Sequence, residues 1–446
     1  MDVQRDPAEL ANAELGGSSR RDFLRLAGAG VAGVALGSPL LAACSSSSST
    51  SDASTLKIGF VSPRTGPAAG FGESDGYVLG LARKAFAGGI TIGGKKYDVT
   101  IIDKDGQSDP QRGAQVANDL IQSDNVDLML TTSTPETVNP VSDACEAAGV
   151  PCVSTVVPWE AWYFGRGAKP GAPSPFKFTY HFCFGVAQFA GAYISMWPQV
   201  PTNKKVGVMW PNDSDGNAIR GALGPLLTKA GYKIVDPGAY ADGTNDYSSQ
   251  IAMFKAESCE IFNTFPLPPD FATFWQQAAQ QGYKPKIAQI AKTGLFPSQV
   301  EALGAIGIGI ASDQYWGPTW PYTSSLTTIT AQQLADGYQT SAGKQWNQQL
   351  GPSLALFDVA NAALKATADP KSKAGLAASI ARLSVDTVMG GLKWGTGPVP
   401  NVVTTPIIGA QWDKSTSGKY PLDLVVCEHV GDPNVPIAST LKPYTA

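Results

Sequence analysis

Three aspartates, Asp103, Asp105 and Asp109, stand in "DKDGQSD" at the spacing with which a calcium loop begins to supply its oxygens. Such a loop is closed by a bidentate acid at its twelfth position, and here that position holds Ala114. No metal is assigned. Acid–base and nucleophilic chemistry are also poorly served, because the chain has only 2 histidines, His181 and His429. It carries no Gly-x-Ser-x-Gly elbow, Cys-x-x-Cys pair, His-Glu-x-x-His helix or Gly-Lys-Ser/Thr phosphate loop. His181, inside "YHFCF", is read as structural, and no cofactor is expected. A net charge of −4 gives no basic footprint for nucleic acid. The reading is a binding protein rather than an enzyme.

What the chain offers in quantity is contact area. "PWEAWYFGRG", residues 158–167, sets Trp159, Trp162, Tyr163 and Phe164 between turn-forming residues. Trp210 ends a strand, and "DQYWGPTW" adds Tyr315, Trp316 and Trp320. Rings from two sides can sandwich a flat or apolar body, since aromatics bring a large contact surface at little entropic cost. The alternative is a satellite core packed under its own loop, with Arg166 bound to backbone carbonyls. That alternative is preferred for Tyr163 and Phe164, and both readings stand for Trp159 and Trp162.

The first residues carry an address. Arg20 and Arg21 precede a Gly-rich apolar run that ends in "LAAC", which reads as a twin-arginine export signal closing on a lipidated Cys44. A membrane anchor is the competing reading, since roughly 18 apolar residues can span a bilayer. The small residues and the terminal Cys argue for cleavage and for an exported protein, lipid-anchored on the outer face of the cytoplasmic membrane. Residues 45–55 are a Ser-rich tether. Five further cysteines follow, Cys145, Cys152, Cys183, Cys259 and Cys427. Cys145 and Cys152 are the candidate disulfide across a tight turn, with two buried thiols as an equal alternative.

From residue 56 onward the chain exceeds the ~250–300 residues that one core usually serves, so two lobes are expected. "LKIGFVSP", "YDVTIIDKD" and "VDLMLTTS" read as strands separated by helical patterns. Asp109 caps the second of these helices and Pro110 sits at its first position. The order repeats in "KKVGVMW", "YKIVDPGAY" and "CEIFNTF". Strands alternating with helices form parallel sheets covered on both faces, and ligands bind beyond the carboxyl ends of such strands. The fold class is α/β: two Rossmann-like three-layer αβα lobes whose strand ends face a shared cleft.

"LKIGFVSPRTGPAAGFG", "DKDGQSDPQRGAQVANDLI", "VDLMLTTSTPETVNPVSDACEAAGVPCVST", "KKVGVMWPNDSDGNAIR" and "DTVMGGLKWGTGP" occur in an order that resembles one family. It is that of the substrate-binding lipoproteins of ABC importers, of the leucine/isoleucine/valine-binding type (periplasmic binding proteins, type I). The resemblance implies two lobes joined by three hinge crossovers, an N-terminal lobe of 56–180 plus 316–390 and a C-terminal lobe of 181–315 plus 391–446. It turns the "DKDGQSD" stretch into a strand-to-helix turn.

It also implies that the loop Thr132, Ser133 and Thr134 and the loop Thr155, Val156 and Val157 hold a ligand carboxylate. Neutral donors in a dry cleft suit an anion, and helix capping is the alternative for Ser133 and Thr134. From the second lobe it brings Asp215 and Phe265. Where amino-acid binders of the family place an acid for the ligand's ammonium, this chain has Lys292. With Trp159, Trp162 and Trp316 as ring walls, that lysine points to an organic acid, an aromatic one among them. An amino-acid or amide binder and a sensor without transport are the alternatives. The implied partners are an ABC permease and its ATPase, the state a monomer. Gly390, Gly391, Gly395 and Gly397 are the candidate third hinge crossing.

Overall fold

A computed structural model describes residues 54–445. The export segment, Cys44 and the tether up to residue 53 lie outside the described residues. Strands are numbered in chain order: β1 (Thr55–Ser62), β2 (Ile90–Ile92), β3 (Lys95–Asp105), β4 (Leu128–Thr132), β5 (Cys152–Thr155) and β6 (Thr179–Phe182). Next come β7 (Lys205–Met209), β8 (Lys233–Val235), β9 (Ile261–Thr264), β10 (Ile287–Ile290) and β11 (Ala311–Gln314). The last are β12 (Ser384–Thr387), β13 (Gly390–Lys393), β14 (Val402–Val403), β15 (Ile408–Lys414) and β16 (Leu422–Glu428).

Two sheets result, ordered β14-β6-β5-β4-β1-β3-β2 and β16-β15-β11-β10-β9-β7-β8. Their inner strands are parallel, as alternating strands and helices require. The edges depart from that rule. β2 folds back on β3 through Gly93 and Gly94, whose φ of 56° and 82° suit the two-residue turn of a hairpin. β15 and β16 close the second sheet as an antiparallel pair.

Local signals explain the first lobe well. Asp109 accepts a hydrogen bond from the Arg112 N–H at 2.7 Å, which caps the helix Pro110–Gln122. That helix buries Val116, Ala117, Leu120 and Ile121 on the sheet. Gly59 in β1 permits the approach, because a Cβ there would stand 2.8 Å from the Met129 sulfur and 3.3 Å from Leu120. The three aspartates of "DKDGQSD" are held by protein donors. Asp103 pairs with Arg64 and Arg83, and Asp105 takes the Arg64 and Gln107 N–H groups.

The crossovers correct the expected boundaries. Val402 and Val403 pair in parallel with His181 and Phe182, so the first lobe runs to the end of β14 rather than to residue 390. The third crossing is therefore residues 404–407. Gly390 and Gly391 lie instead in a hairpin of β12 with β13, and Gly397 lies where a side chain would meet the Val402 carbonyl. These glycines serve turns within one lobe. The first crossing follows Phe182, after which the helix Val186–Met196 packs on β15 and β16. The second follows Gln314, since the helix Leu350–Ala366 packs on β4 and β5. Cys145 and Cys152 are neighbouring free thiols in a buried cluster of the first lobe, not a disulfide.

Candidate functional site

A small cavity of about 30 Å³ lies between the two sheets. Its walls come from the segments that follow the carboxyl ends of the strands. Ser133 and Thr134 follow β4, Val156 follows β5 and Phe184 follows β6. From the second sheet come Asp215 after β7, Phe265 after β9, Lys292 after β10, and Asp313 and Tyr315 at the end of β11. Two sheets thus contribute their carboxyl-end loops to one space, where parallel α/β architecture concentrates ligand contacts.

The first-lobe side suits an anion. Ser133 is fully buried, yet its hydroxyl has no hydrogen-bond partner among the described residues. Thr134 is the N-cap residue of the helix Pro135–Ala148, but its side chain makes no capping bond. The positive end of that helix is therefore turned to the same place as two hydroxyls. The backbone here is strained: Ser133 has φ 131°, and Val156, a β-branched residue, has φ 72°. Across the cavity Lys292 has φ 47°. Three such residues around one cavity fit the tendency of strain to collect at functional sites.

The second-lobe side is an acidic cluster around one cation. Lys292 Nζ lies 2.9 Å from Asp213 Oδ2 and 2.9 Å from Asp215 Oδ2. Burial alone would lower the lysine's pKa, but the charges of Asp215, Asp213 and Glu136 raise it well above its ordinary value. Burial pushes the Asp215 carboxyl up to about 7 against the pull of Lys292. Lys292 is thus already committed to two carboxylates. That corrects its expected role of attracting an acidic ligand group or repelling an ammonium.

Five rings, Phe71, Phe184, Phe189, Phe265 and Tyr315, line the cavity together with Pro158, Ala291 and Leu295. Phe189 meets Phe265 edge-on at 5.0 Å, and Phe184 lies 5.1 Å from Tyr315. Phe71 of the first lobe meets Phe296 of the second edge-on at 4.9 Å, which helps to shut the cavity.

Of the expected site residues, the structure gathers Ser133, Thr134, Val156, Asp215, Phe265 and Lys292 at this cavity. Five others stand elsewhere. Thr155 gives its hydroxyl to the Phe182 carbonyl at 2.7 Å, and the Val157 carbonyl bonds the His181 ring at 2.7 Å. Trp162 is fully buried, stacks on His181 at 4.9 Å and lies under the Arg166 guanidinium at 4.6 Å. Trp159 packs on Phe164. Trp316 is fully buried and donates to the Val388 carbonyl at 3.2 Å. The rings of the aromatic loop form a satellite core, while its Pro158 lines the cavity, and Arg166 reaches Asp143 and Thr179 side chains.

Phe71, Phe184, Phe189 and Asp313 line the cavity without having been singled out. An aspartate inside the apolar run "GIASDQYW" was the legible sign, because a strand core rarely holds an unpaired acid. "HFCFGVAQF" offered a similar clue for the two phenylalanines.

A family model described as "Periplasmic binding protein" matches residues 55–418. The Leu/Ile/Val-binding protein homolog 8 of Brucella suis biovar 1 (strain 1330) is 24% identical over 321 residues, which is 70% of this chain and 76% of its own length. The leucine-binding protein LivK of Thermotoga maritima MSB8 superposes with a TM-score of 0.68 at 16% identity, covering 85% of this chain and 99% of that one. A solute-binding protein of an ABC transporter from Rhodopseudomonas palustris BisB5, in complex with 3,4-dihydroxy benzoic acid, gives 0.66 at 18% identity over 84% and 97%. Likeness at these identities establishes the two-lobe fold.

Proposed function

The chain belongs to the periplasmic binding protein family, and from that premise we propose that it captures a small carboxylate-bearing molecule with an apolar or aromatic body. It then passes that molecule to the permease of an ABC importer. The observation that carries the reading is the pairing of opposite chemistries on one cavity. Buried Ser133 has a hydroxyl without a partner among the described residues, at a helix N-terminus, and five rings stand beyond it. Buried donors without partners are costly unless a ligand completes them. Aromatic side chains supply the apolar contact that a small ligand body needs.

The Rhodopseudomonas palustris neighbour, in complex with an aromatic acid, supports this ligand class. Both lobes contribute to the cavity, so a ligand stabilises the shut form by its differential contacts. Export by the twin-arginine signal and anchoring through Cys44 fit delivery at the membrane, and they belong to the same proposal.

An amino acid is the second reading. Among the described residues Asp215 keeps one carboxylate oxygen without a partner, which offers an acid for a ligand ammonium beside Lys292. Calorimetric titration with benzoate, 4-hydroxybenzoate, phenylalanine and leucine separates the two readings. Ser133→Ala should weaken any acid that binds. If none of the four binds, or Ser133→Ala leaves the affinity intact, the proposed carboxylate end is wrong.

A further inference from the structure

Two of the crossings between the lobes are clasped by side chains of the first lobe. At the first crossing, Glu160 of the short helix Trp159–Tyr163 reaches across, and its Oε1 accepts the Val186 N–H at 3.0 Å. Val186 opens the second-lobe helix Val186–Met196, whose leading N–H groups have no partner within the helix. The helix dipole favours a carboxylate at that end. The Trp159 N–H adds a bond to the Phe184 carbonyl at 3.0 Å. Gly185 leaves room for the approach, because a Cβ there would lie 2.6 Å from Glu160 Oε2.

At the second crossing, fully buried Gln348 holds the end of β11 at two points. Its amide donates to the Asp313 carbonyl at 2.8 Å, and its Oε1 accepts the Tyr315 N–H at 2.9 Å. The neighbouring Gln349 amide donates to the Tyr315 hydroxyl. Gln348 directly precedes the helix Leu350–Ala366, which packs on β4 and β5 of the first lobe.

Both clasps end beside cavity rings. Phe184 and Phe189 flank Val186 in the chain, Tyr315 carries the second clasped N–H, and Phe184 meets Tyr315 at 5.1 Å. Neither Glu160 nor Gln348 lines the cavity itself. Resting on the reading that a ligand is held between the lobes, we propose that Glu160 and Gln348 are positioning residues of the hinge. They fix the two crossings so that Phe184, Phe189 and Tyr315 stand as one preformed wall. A preformed wall lowers the ordering cost of binding. Apparent affinity falls in proportion to the fraction of molecules that hold the competent arrangement.

Titration of Glu160→Ala, Glu160→Gln and Gln348→Met with the tightest-binding of the four acids above tests this, beside amide hydrogen exchange of the ligand-free proteins. Glu160→Ala and Gln348→Met should each bind about tenfold more weakly, the worth of one hydrogen bond to a charged group or two neutral ones. Glu160→Gln keeps a carbonyl for the Val186 N–H and should recover most of the loss. Exchange should quicken at Val186 in Glu160→Ala and at Tyr315 in Gln348→Met. In a Phe184→Ala background both affinity losses should shrink, because the clasps act through the ring. Folded Glu160→Ala and Gln348→Met proteins that keep full affinity overturn the inference, as do losses that stay the same in the Phe184→Ala background. If one of these two variants fails to fold, the other carries the test. If none of the four acids binds, the carboxylate reading falls and exchange decides the clasps alone. Unchanged protection at Val186 and Tyr315 then removes them, and faster exchange confined to the crossings retains them.

Discussion

Lys292 Nζ stands 2.9 Å from Asp215 Oδ2, with the two side chains 8% and 5% exposed. One ammonium there serves two carboxylates, since Asp213 lies equally close. Removing it leaves Asp213 and Asp215 buried near Glu136 of the first lobe without their cation. Lys292→Met should therefore destabilise the protein by about 3–5 kcal/mol at neutral pH. The loss should shrink in acid, where Asp215 takes a proton. Urea unfolding of both proteins at two pH values checks this, and an equal loss at both would contradict it.

Stability should fall as pH rises through the neutral range. Burial pushes Asp215, Asp313 and Glu160 up to about 7, and Asp75 and Asp358 up to about 6. Each keeps its proton in the folded state above about pH 4, where the unfolded chain has released it. The folded state then holds more protons than the unfolded one, so stability declines up to about pH 7. His181 acts the other way: burial lowers it to about 3, and its contribution grows as pH rises toward 6.5. It is one group against five carboxyls. The urea midpoint should be higher near pH 5 than near pH 7.5, and the reverse order would refute the sign.

Trp162 and Phe265 should separate stability from binding. Trp162 is enclosed by His181, Phe176 and Arg166, so Trp162→Ala should cost ~3–5 kcal/mol. Its effect on affinity in the folded fraction should be small. Phe265 lines the cavity, and Phe265→Ala should weaken ligand binding by about tenfold as well as loosening the second lobe. Denaturation curves with titrations on each variant decide the matter, and a Trp162→Ala protein that folds normally but loses ligand would reverse the assignment.

Gly185 tests the first crossing. A Cβ there would be driven into the Trp159 indole nitrogen and would lie 2.6 Å from Glu160 Oε2. Neither group can withdraw easily, because Glu160 also holds the Val186 N–H at 3.0 Å. Gly185→Ala should destabilise by ~1–3 kcal/mol and displace the aromatic loop. A shift in tryptophan emission of the folded variant would accompany it. Unchanged melting and emission would mean that the crossing is looser than the packing implies.

The strands and the capped helix Pro110–Gln122 were legible because their signals are local: short β-rich apolar runs, an Asp cap and a Pro at the first helical position. Ser133, Thr134, Asp215 and Phe265 came from ordered motif resemblance, which places loops well when strands keep their order. The third crossing was not legible. Its marker is a two-residue strand, Val402–Val403, that pairs with His181–Phe182 from far along the chain. Local glycines at 390 and 391 gave the stronger but misleading hinge signal. The ring count of "PWEAWYFGRG" could not say which way the rings turn. Burial under Arg166 and against His181 decided that. Lys292 does line the cavity, but its charge was misread, because its two aspartate partners lie almost eighty residues earlier.

The central claim is that a small acid lies between the lobes with its carboxylate at Ser133. A crystal structure of protein purified without refolding, then saturated with the tightest-binding acid, tests it most directly. The account predicts closed lobes, a carboxylate within hydrogen-bond reach of Ser133 Oγ and a ring among Phe184, Phe189, Phe265 and Tyr315. A ligand bound outside that cavity, or one whose carboxylate turns toward the Asp213–Lys292–Asp215 cluster, would contradict it.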